Sequence, residues 1–428
     1  MGGSRSWLSR GPWRRSSPAN GEQIPRTTRA RNPLWLLAPA TFFQGYDNLI
    51  LSLALPLIRQ SFHLSLAGAG LLASVVFMGS LGSFLLLPLA DRWGRRPILV
   101  LSILGYTAAT FLTAFSRGVV EFAACQFVAR AFLGTEYTLA IIVVVETTEH
   151  HRRGKRLGLV TSMAALGSAA AGAGYFIVNA SGGSWRILYL IGIIPLLFLA
   201  RAWRSLPETA PSRGTERVSL RSLSRRYLLG VSIVSFLFEM FPAAVVTLAT
   251  TLFRDTWHLK LTTIPPFYFV LWLLGVSGFF VAGRALDRFG RKPVSIIVFL
   301  IGGVAGFLAF ATTSMATRGV GLAFVIFATT AATPCTAAYY TELFPIAARG
   351  RVNAWLRGVG MGGQAAAPAL ATVLAIPLGG LGWGIAVVGL SYALAAVVIA
   401  VLLPETLNRR DGVPAGTPEE EARPYHLV

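Results

Sequence analysis

The sequence predicts an all-α integral membrane protein, with twelve transmembrane helices as two six-helix pseudo-symmetric halves around a central cavity. Three observations predict it. Of the 428 residues, 54% are hydrophobic and only 13% are charged, against about 25% charged in a soluble domain. The apolar residues fall in runs of about 20, the length that crosses a ~30 Å hydrocarbon core. The second half of the chain also repeats motifs of the first at a nearly constant offset.

The runs lie at 34–58, 66–90, 97–115, 120–147, 157–179 and 186–205, then at 227–252, 263–284, 293–312, 320–343, 353–376 and 382–403. They divide the chain into a basic tail (1–33), a first half (34–205), a polar central loop (206–226), a second half (227–403) and a closing tail (404–428). Of the 38 Lys and Arg residues, 30 fall in the tails and loops of one side. Six fall on the other side, and Arg130 and Arg357 lie inside runs. Cytoplasmic loops carry such an excess, so both termini and the central loop are expected in the cytoplasm, with the protein in a plasma (bacterial inner) membrane. The Arg- and Ser-rich N-terminus, with Glu22 its only acid, reads as a cytoplasmic tail in preference to a cleaved transit peptide.

Topology also accounts for the net charge of +20, and no nucleic-acid-binding pattern accompanies it. The partner of the outer surface is the lipid bilayer. Cys125 and Cys335 both sit in apolar runs and offer neither a disulfide framework nor a metal site. The five histidines lack metal-ligand spacing, and no phosphate-binding Gly-(x4)-Gly-Lys-[Ser/Thr] loop is present, which excludes an ATP-driven pump of that type. No cofactor and no enzyme activity are expected, and the protein is expected to act as a monomer.

The repeat is specific. Asp91-Arg92-Trp93-Gly94-Arg95-Arg96-Pro97 returns as Asp287-Arg288-Phe289-Gly290-Arg291-Lys292-Pro293. Glu146 with Arg153-Gly154 returns as Glu342 with Arg349-Gly350, and Leu206-Pro207-Glu208-Thr209 as Leu403-Pro404-Glu405-Thr406. Arg59 with Phe62-His63-Leu64 is echoed by Arg254 with Trp257-His258-Leu259. Two parallel halves related by an axis along the membrane normal place a solute site near the midplane between them.

The Asp-Arg-x-Gly-Arg-Arg loops resemble the signature of the major facilitator superfamily. The Glu-(x6)-Arg-Gly and Pro-Glu-Thr patterns, the phrase Tyr340-Thr341-Glu342-Leu343-Phe344-Pro345 and Gly45-Tyr46-Asp47 are similar to its sugar-porter and metabolite:proton symporter branches. The resemblance covers about residues 34 to 407. It implies that Asp91, Arg92, Gly94, Arg95, Glu146 and Arg153, with Asp287, Arg288, Gly290, Arg291, Glu342 and Arg349, form cytoplasmic gating elements. Ion pairs among these groups would latch the halves in the outward-open state. Two departures stand out. Leu87 occupies the position where the second half keeps Gly283, and Val143-Val144-Val145 replace the Pro-x-Tyr that sugar porters carry before Glu146. The second departure argues against a sugar substrate.

An ionisable group deep in a span costs about 2.5–3.5 kcal/mol on insertion scales, so it usually faces a cavity and has a function. Asp47, Arg130, Glu136 and Glu239 lie well inside runs. Aligning the halves sets Gln44 opposite Glu239 and Asp47 opposite Pro242. The resemblance places the first, fourth, seventh and tenth spans around the cavity. Asp47 and Glu136, then Glu239, are the expected proton carriers, because a carboxyl in a low-dielectric cavity binds and releases protons nearer neutrality. Arg130 shares a face with Gly134 and Tyr137 at helical spacing, while Glu136 points elsewhere. Arg130 is therefore expected to reach towards Asp47 or to hold an anionic solute. Asn48, Tyr137, Tyr339 and Gln364 complete the candidate cavity. Arg357, only four residues into its run, is expected to snorkel to the interface.

The function expected is proton-coupled uptake of a small organic acid or related polar metabolite. The alternatives are proton-coupled efflux of drug-like amphiphiles, and sugar transport. A receptor or scaffold on the same fold has no use for costly midplane charges.

Overall fold

The computed structural model describes residues 34–147, 153–194, 223–259 and 264–407. Regular structure among them is helical. The helices are α1 (Leu34–Ser61), α2 (Leu66–Met78), α3 (Ser83–Trp93), α4 (Arg95–Thr113), α5 (Val119–Thr147), α6 (Arg153–Ala180) and the short α7 (Arg186–Leu190). They continue as α8 (Arg225–Asp255), α9 (Ile264–Phe289), α10 (Arg291–Phe310), α11 (Met315–Glu342), α12 (Ile346–Ala375) and α13 (Leu381–Leu402). Eight segments among the described residues are long and apolar enough to cross a membrane. The tails, most of the central loop and the end of the sixth run lie outside the described residues.

Three boundaries differ from expectation. The run 66–90 is not one uninterrupted α-helix: a 3₁₀ turn over Gly79–Gly82 joins α2 to α3. There the chain presses on α5, where a Cβ on Gly79 would lie 2.2 Å from the Phe127 carbonyl oxygen. Tightened turns of this kind mark close or strained packing. Helix α12 starts at Ile346, seven residues before the apolar run, because the polar turns holding Arg349 and Arg351 continue the helix beyond the hydrophobic stretch. Helix α9 likewise runs on to Phe289.

The sequence repeat is written into the backbone as well. Gly94 and Gly290 carry φ of 95° and 100°, and His63 and His258 carry 50° and 53°. Glycine enters the positive-φ region without steric cost, so the glycines of the two signature loops serve the same sharp entry into α4 and α10. The two histidines sit at matching turns after α1 and α8.

Buried apolar residues form three clusters. The largest draws nearly all its members from residues 231–403, and Leu55 and Ala69 join it from the earlier part of the chain. The other two lie wholly within residues 37–189. Residues such as Leu85, Val120 and Ile376 are each at least 70% exposed, an apolar exterior that suits a lipid solvent.

The two groups of helices touch mainly at one end. Ser52 donates to the Val246 carbonyl, and at 3.4 Å to that of Thr247. The Ala369 amide donates to Ser74 Oγ at 2.9 Å. A Cβ on Gly70 would fall 1.9 Å from Thr372 Oγ1 and 2.6 Å from the Pro368 oxygen. Arg59 at the end of α1 pairs with Asp255 at the end of α8 at 2.8 Å. This half-exposed pair lines a cavity of about 470 Å³ with Pro56, Gln60, His63 and Leu64. An exposed ion pair contributes only about 0.2–1 kcal/mol, so the seal rests on the glycine contacts and the buried backbone acceptors.

Candidate functional site

The interior site is built on α1 and α5. Helix α1 is held against α6 by backbone contact: a Cβ on Gly45 would sit 1.8 Å from the Ala164 oxygen, and one on Gly167 would sit 1.7 Å from that of Phe42. Ser168 Oγ donates to the Gly45 carbonyl at 2.9 Å across the same seam. Small residues permit this approach in membranes. It fixes the rotation of α1 that turns Asp47 inward.

Asp47 is 8% exposed. Its Oδ2 accepts from Thr110 Oγ1 at 3.3 Å, while its Oδ1 has no hydrogen-bond partner. Arg130 is buried and reaches α1, as its position on α5 led us to expect. Its guanidinium donates to Asn48 Oδ1 and, at 3.3 Å, to the main-chain carbonyl of Asp47. Its plane lies 4.9 Å over the Phe77 ring. The carboxylate of Asp47 feels the Arg130 charge without a direct contact among these bonds.

Glu136, six residues further along α5, is wholly buried, and neither carboxyl oxygen has a hydrogen-bond partner. It senses the charge of Asp47, and Tyr106 senses both. Burying a carboxylate without donors is costly. The charge on this group therefore depends on what else occupies the site.

The other candidates spread out. Gln44 and Gln364 are half-buried on α1 and α12, and Asn48 is exposed apart from its bond to Arg130. Tyr339 is 1% exposed and packs in the large core cluster, so it is a core residue in this conformation. Glu239, on α8, lies against α12, where a Cβ on Gly360 would come within 2.9 Å of its Cγ. Arg357 is exposed, eleven residues beyond the start of α12, and its guanidinium lies 5.6 Å over the Tyr137 ring of α5.

At the signature loops, the side chains of Asp91, Glu146 and Arg153 lie outside the described residues. Arg92 is exposed, while Gly94 and Arg95 are buried. The second copy is well defined. Arg291 pairs with Glu342 at 3.1 Å and Asp287 at 3.3 Å, Arg288 stacks over Phe289 at 5.3 Å, and Arg349 donates to the Phe344 carbonyl at 3.1 Å. These pairs all join elements of residues 286–349.

Glu405 was missed as a functional residue. It accepts from the amides of Arg291 at 2.8 Å and Lys292 at 2.9 Å, and from those of Thr406 and Leu407, both at 2.8 Å. It thus caps α10 at the Gly290 turn, where the first helical amides lack partners and the dipole favours an anion. A carbon on Gly290 would meet Glu405 Oε2 at 2.6 Å, so the signature loop and the Pro-Glu-Thr segment interlock. Partial burial pushes the Glu405 carboxyl up, but the four main-chain donors outweigh it and hold it below the usual carboxylate range. Its contribution is therefore complete above the unfolded value and lost as pH falls through the folded one. Glu405→Gln should lower the melting temperature in detergent near neutral pH, and the deficit should shrink below about pH 4.3. An equal deficit at both acidities would contradict the assignment.

Comparison with known proteins places this geometry. The family model of the Major Facilitator Superfamily matches residues 37–330 and 276–424. The cis,cis-muconate transport protein of Acinetobacter baylyi is 26% identical over 86% of this chain and 92% of its own length. The gentisate transporter of Corynebacterium glutamicum is 25% identical over 84% of this chain and 85% of its own. Among solved structures, the D-xylose-proton symporter superposes with a TM-score of 0.69 at 19% identity, covering 87% of this chain and 97% of that one. The match extends over nearly all of the described helices, and the chain belongs to the Major Facilitator Superfamily as an integral membrane transporter, not an enzyme.

Proposed function

We propose that the protein is a proton-coupled uptake carrier for a small organic acid, working by alternating access as a monomer. Two six-helix halves, 34–205 and 227–403, would rock about a midplane cavity, with both termini cytoplasmic. The observation that carries this reading is Glu136, a fully buried carboxyl without a hydrogen-bond donor, in the same bundle interior as buried Asp47. Such a pair can take up and release a proton as the cavity changes its exposure. The relatives that transport muconate and gentisate support an organic acid as solute.

With cytoplasmic termini, the end sealed by Gly70, Ser52 and the Arg59–Asp255 pair faces outward, and the site opens inward. The latch proposed for the outward-open state would then form at the opposite, cytoplasmic end, from Asp91, Glu146 and Arg153 with their second-half counterparts. Gly70→Leu should wedge the outer seal, since its side chain would meet Pro368 and Thr372. In a background with Cys125→Ser and Cys335→Ser, Ser52→Cys should then react faster with impermeant maleimide from outside. Unchanged labelling would mean that the seal is not at this seam.

The functional test is uptake into proteoliposomes from a pool of labelled carboxylates, sugars and amphiphiles, with and without an inward proton gradient. Gradient-dependent accumulation of one carboxylate supports the reading. Accumulation of a sugar alone, or gradient-driven loss of an amphiphile, would replace it.

A further inference from the structure

We propose that Arg357 is the anchor for the carboxylate of the transported solute, an assignment that rests on the organic-acid reading above. Arg130 on α5 and Arg357 on α12 are differently placed. Arg130 is 5% exposed, with two of its donors on Asn48 and the Asp47 carbonyl and its face on Phe77. It braces α5 against α1, and its burial sets it behind α1 in this conformation. Arg357 is exposed and makes no hydrogen bond or ion pair among the described residues.

Its direction is set by packing. At 1.5 Å per residue, Arg357 stands about 16 Å along α12 from Ile346. The next residue, Gly358, lies against α3, where a Cβ would come within 2.7 Å of Phe84 Cζ. The guanidinium itself lies over Tyr137 on α5. Arg357 therefore spans the gap between the two groups of helices, on the same helix as the Gly360 that adjoins Glu239. Glu239 senses the Arg357 charge but no ion pair forms between them within contact distance. The site thus holds a cation with an aromatic backing plate and a distant resident anion.

A planar guanidinium takes a carboxylate in a two-pronged hydrogen-bonded pair, and stacking on Tyr137 orients that plane. The incoming carboxylate would dock on the free edge of Arg357, and Glu239 would be the competing counter-charge. Loading would also bridge α5 and α12, which belong to opposite groups of helices, and so would tie occupancy to the closure of the site.

The experiment is proteoliposome counterflow with labelled gentisate and cis,cis-muconate as probes, on wild type, Arg357→Gln, Arg357→Lys and Glu239→Gln, each checked for monodispersity. Arg357→Gln should raise the KM for the transported acid about tenfold or more, and Arg357→Lys should fall between it and wild type. Glu239→Gln should lower KM, the opposite sign to what a merely structural pair would give. An unchanged KM in Arg357→Gln, with wild type active, would overturn this assignment and leave the transport reading standing. Failure of wild type to carry either acid or any other carboxylate would overturn both.

Discussion

Glu136→Gln is expected to abolish gradient-driven accumulation while leaving solute exchange and folding intact. The argument starts from burial. Both carboxyl oxygens of Glu136 are enclosed without donors, so its ionised form is compensated by nothing nearby except by losing its charge or admitting solvent. A neutral amide of the same shape removes that burden, and the melting temperature of Glu136→Gln should match or exceed that of wild type. Coupling, however, needs a group that changes charge. One pH unit of inward gradient is worth about 1.4 kcal/mol per proton, or a tenfold accumulation for one-to-one symport. In Glu136→Gln the ratio of internal to external solute should fall to about one, since without proton movement the carrier only equilibrates. Counterflow, which needs no net proton movement, should persist.

Asp47→Asn should behave differently in one respect. The Asp47 carboxylate accepts from Thr110, and a neutral amide there weakens that bond and removes a counter-charge near Arg130, so the substitution slows exchange as well as uncoupling it. Proteoliposome accumulation and counterflow, measured side by side, separate the two effects. Full gradient-driven accumulation in Glu136→Gln would remove this residue from the coupling pathway and pass the role to Asp47 or Glu239.

These groups were legible in the sequence because charge inside an apolar run is expensive enough to stand out. Asp47, Arg130 and Glu136 needed no structure to be chosen, and the repeat announced the matching turns at Gly94 and Gly290. What was not legible depended on where helices begin and how they rotate. The start of α12 was not legible, because hydropathy begins its span at residue 353, whereas the polar turn from Ile346 is helical too. The Arg59–Asp255 pair was not legible, since nothing in the chain states that the ends of α1 and α8 converge. Glu405 was visible only as one letter of a repeated motif, and its role as the cap of α10 requires chain segments over a hundred residues apart to meet. Nothing in the Gly- and Ala-rich stretch from Gly167 to Gly174 states which glycine makes the close approach to α1.

The structure does say, and a comparison inside one helix follows. Gly167→Leu is expected to prevent assembly, while Gly172→Leu, five residues along α6, should be tolerated. A side chain at Gly167 would have to occupy the place of the Phe42 carbonyl oxygen, 1.7 Å from its Cβ, with the Tyr46 amide at 3.0 Å. Both obstacles are backbone and cannot change rotamer. The helices would have to separate, losing the Gly45–Ala164 seam and the Ser168 hydrogen bond together. Inserting even single methylenes into a packed core costs about 1–3 kcal/mol, and here four heavy atoms enter a space that excludes one. Beside Gly172 nothing lies within 4 Å, so the same leucine meets no obstacle. Both substitutions exchange the same residues in the same helix, which cancels differences in hydrophobicity and insertion. Size-exclusion profiles of fluorescent fusions in detergent read the outcome directly. A monodisperse Gly167→Leu would mean that α1 and α6 do not meet at this seam. Since Gly45 precedes Asp47 by two residues on the same helix, the rotation that presents Asp47 to Thr110 and to Arg130 would then need another cause.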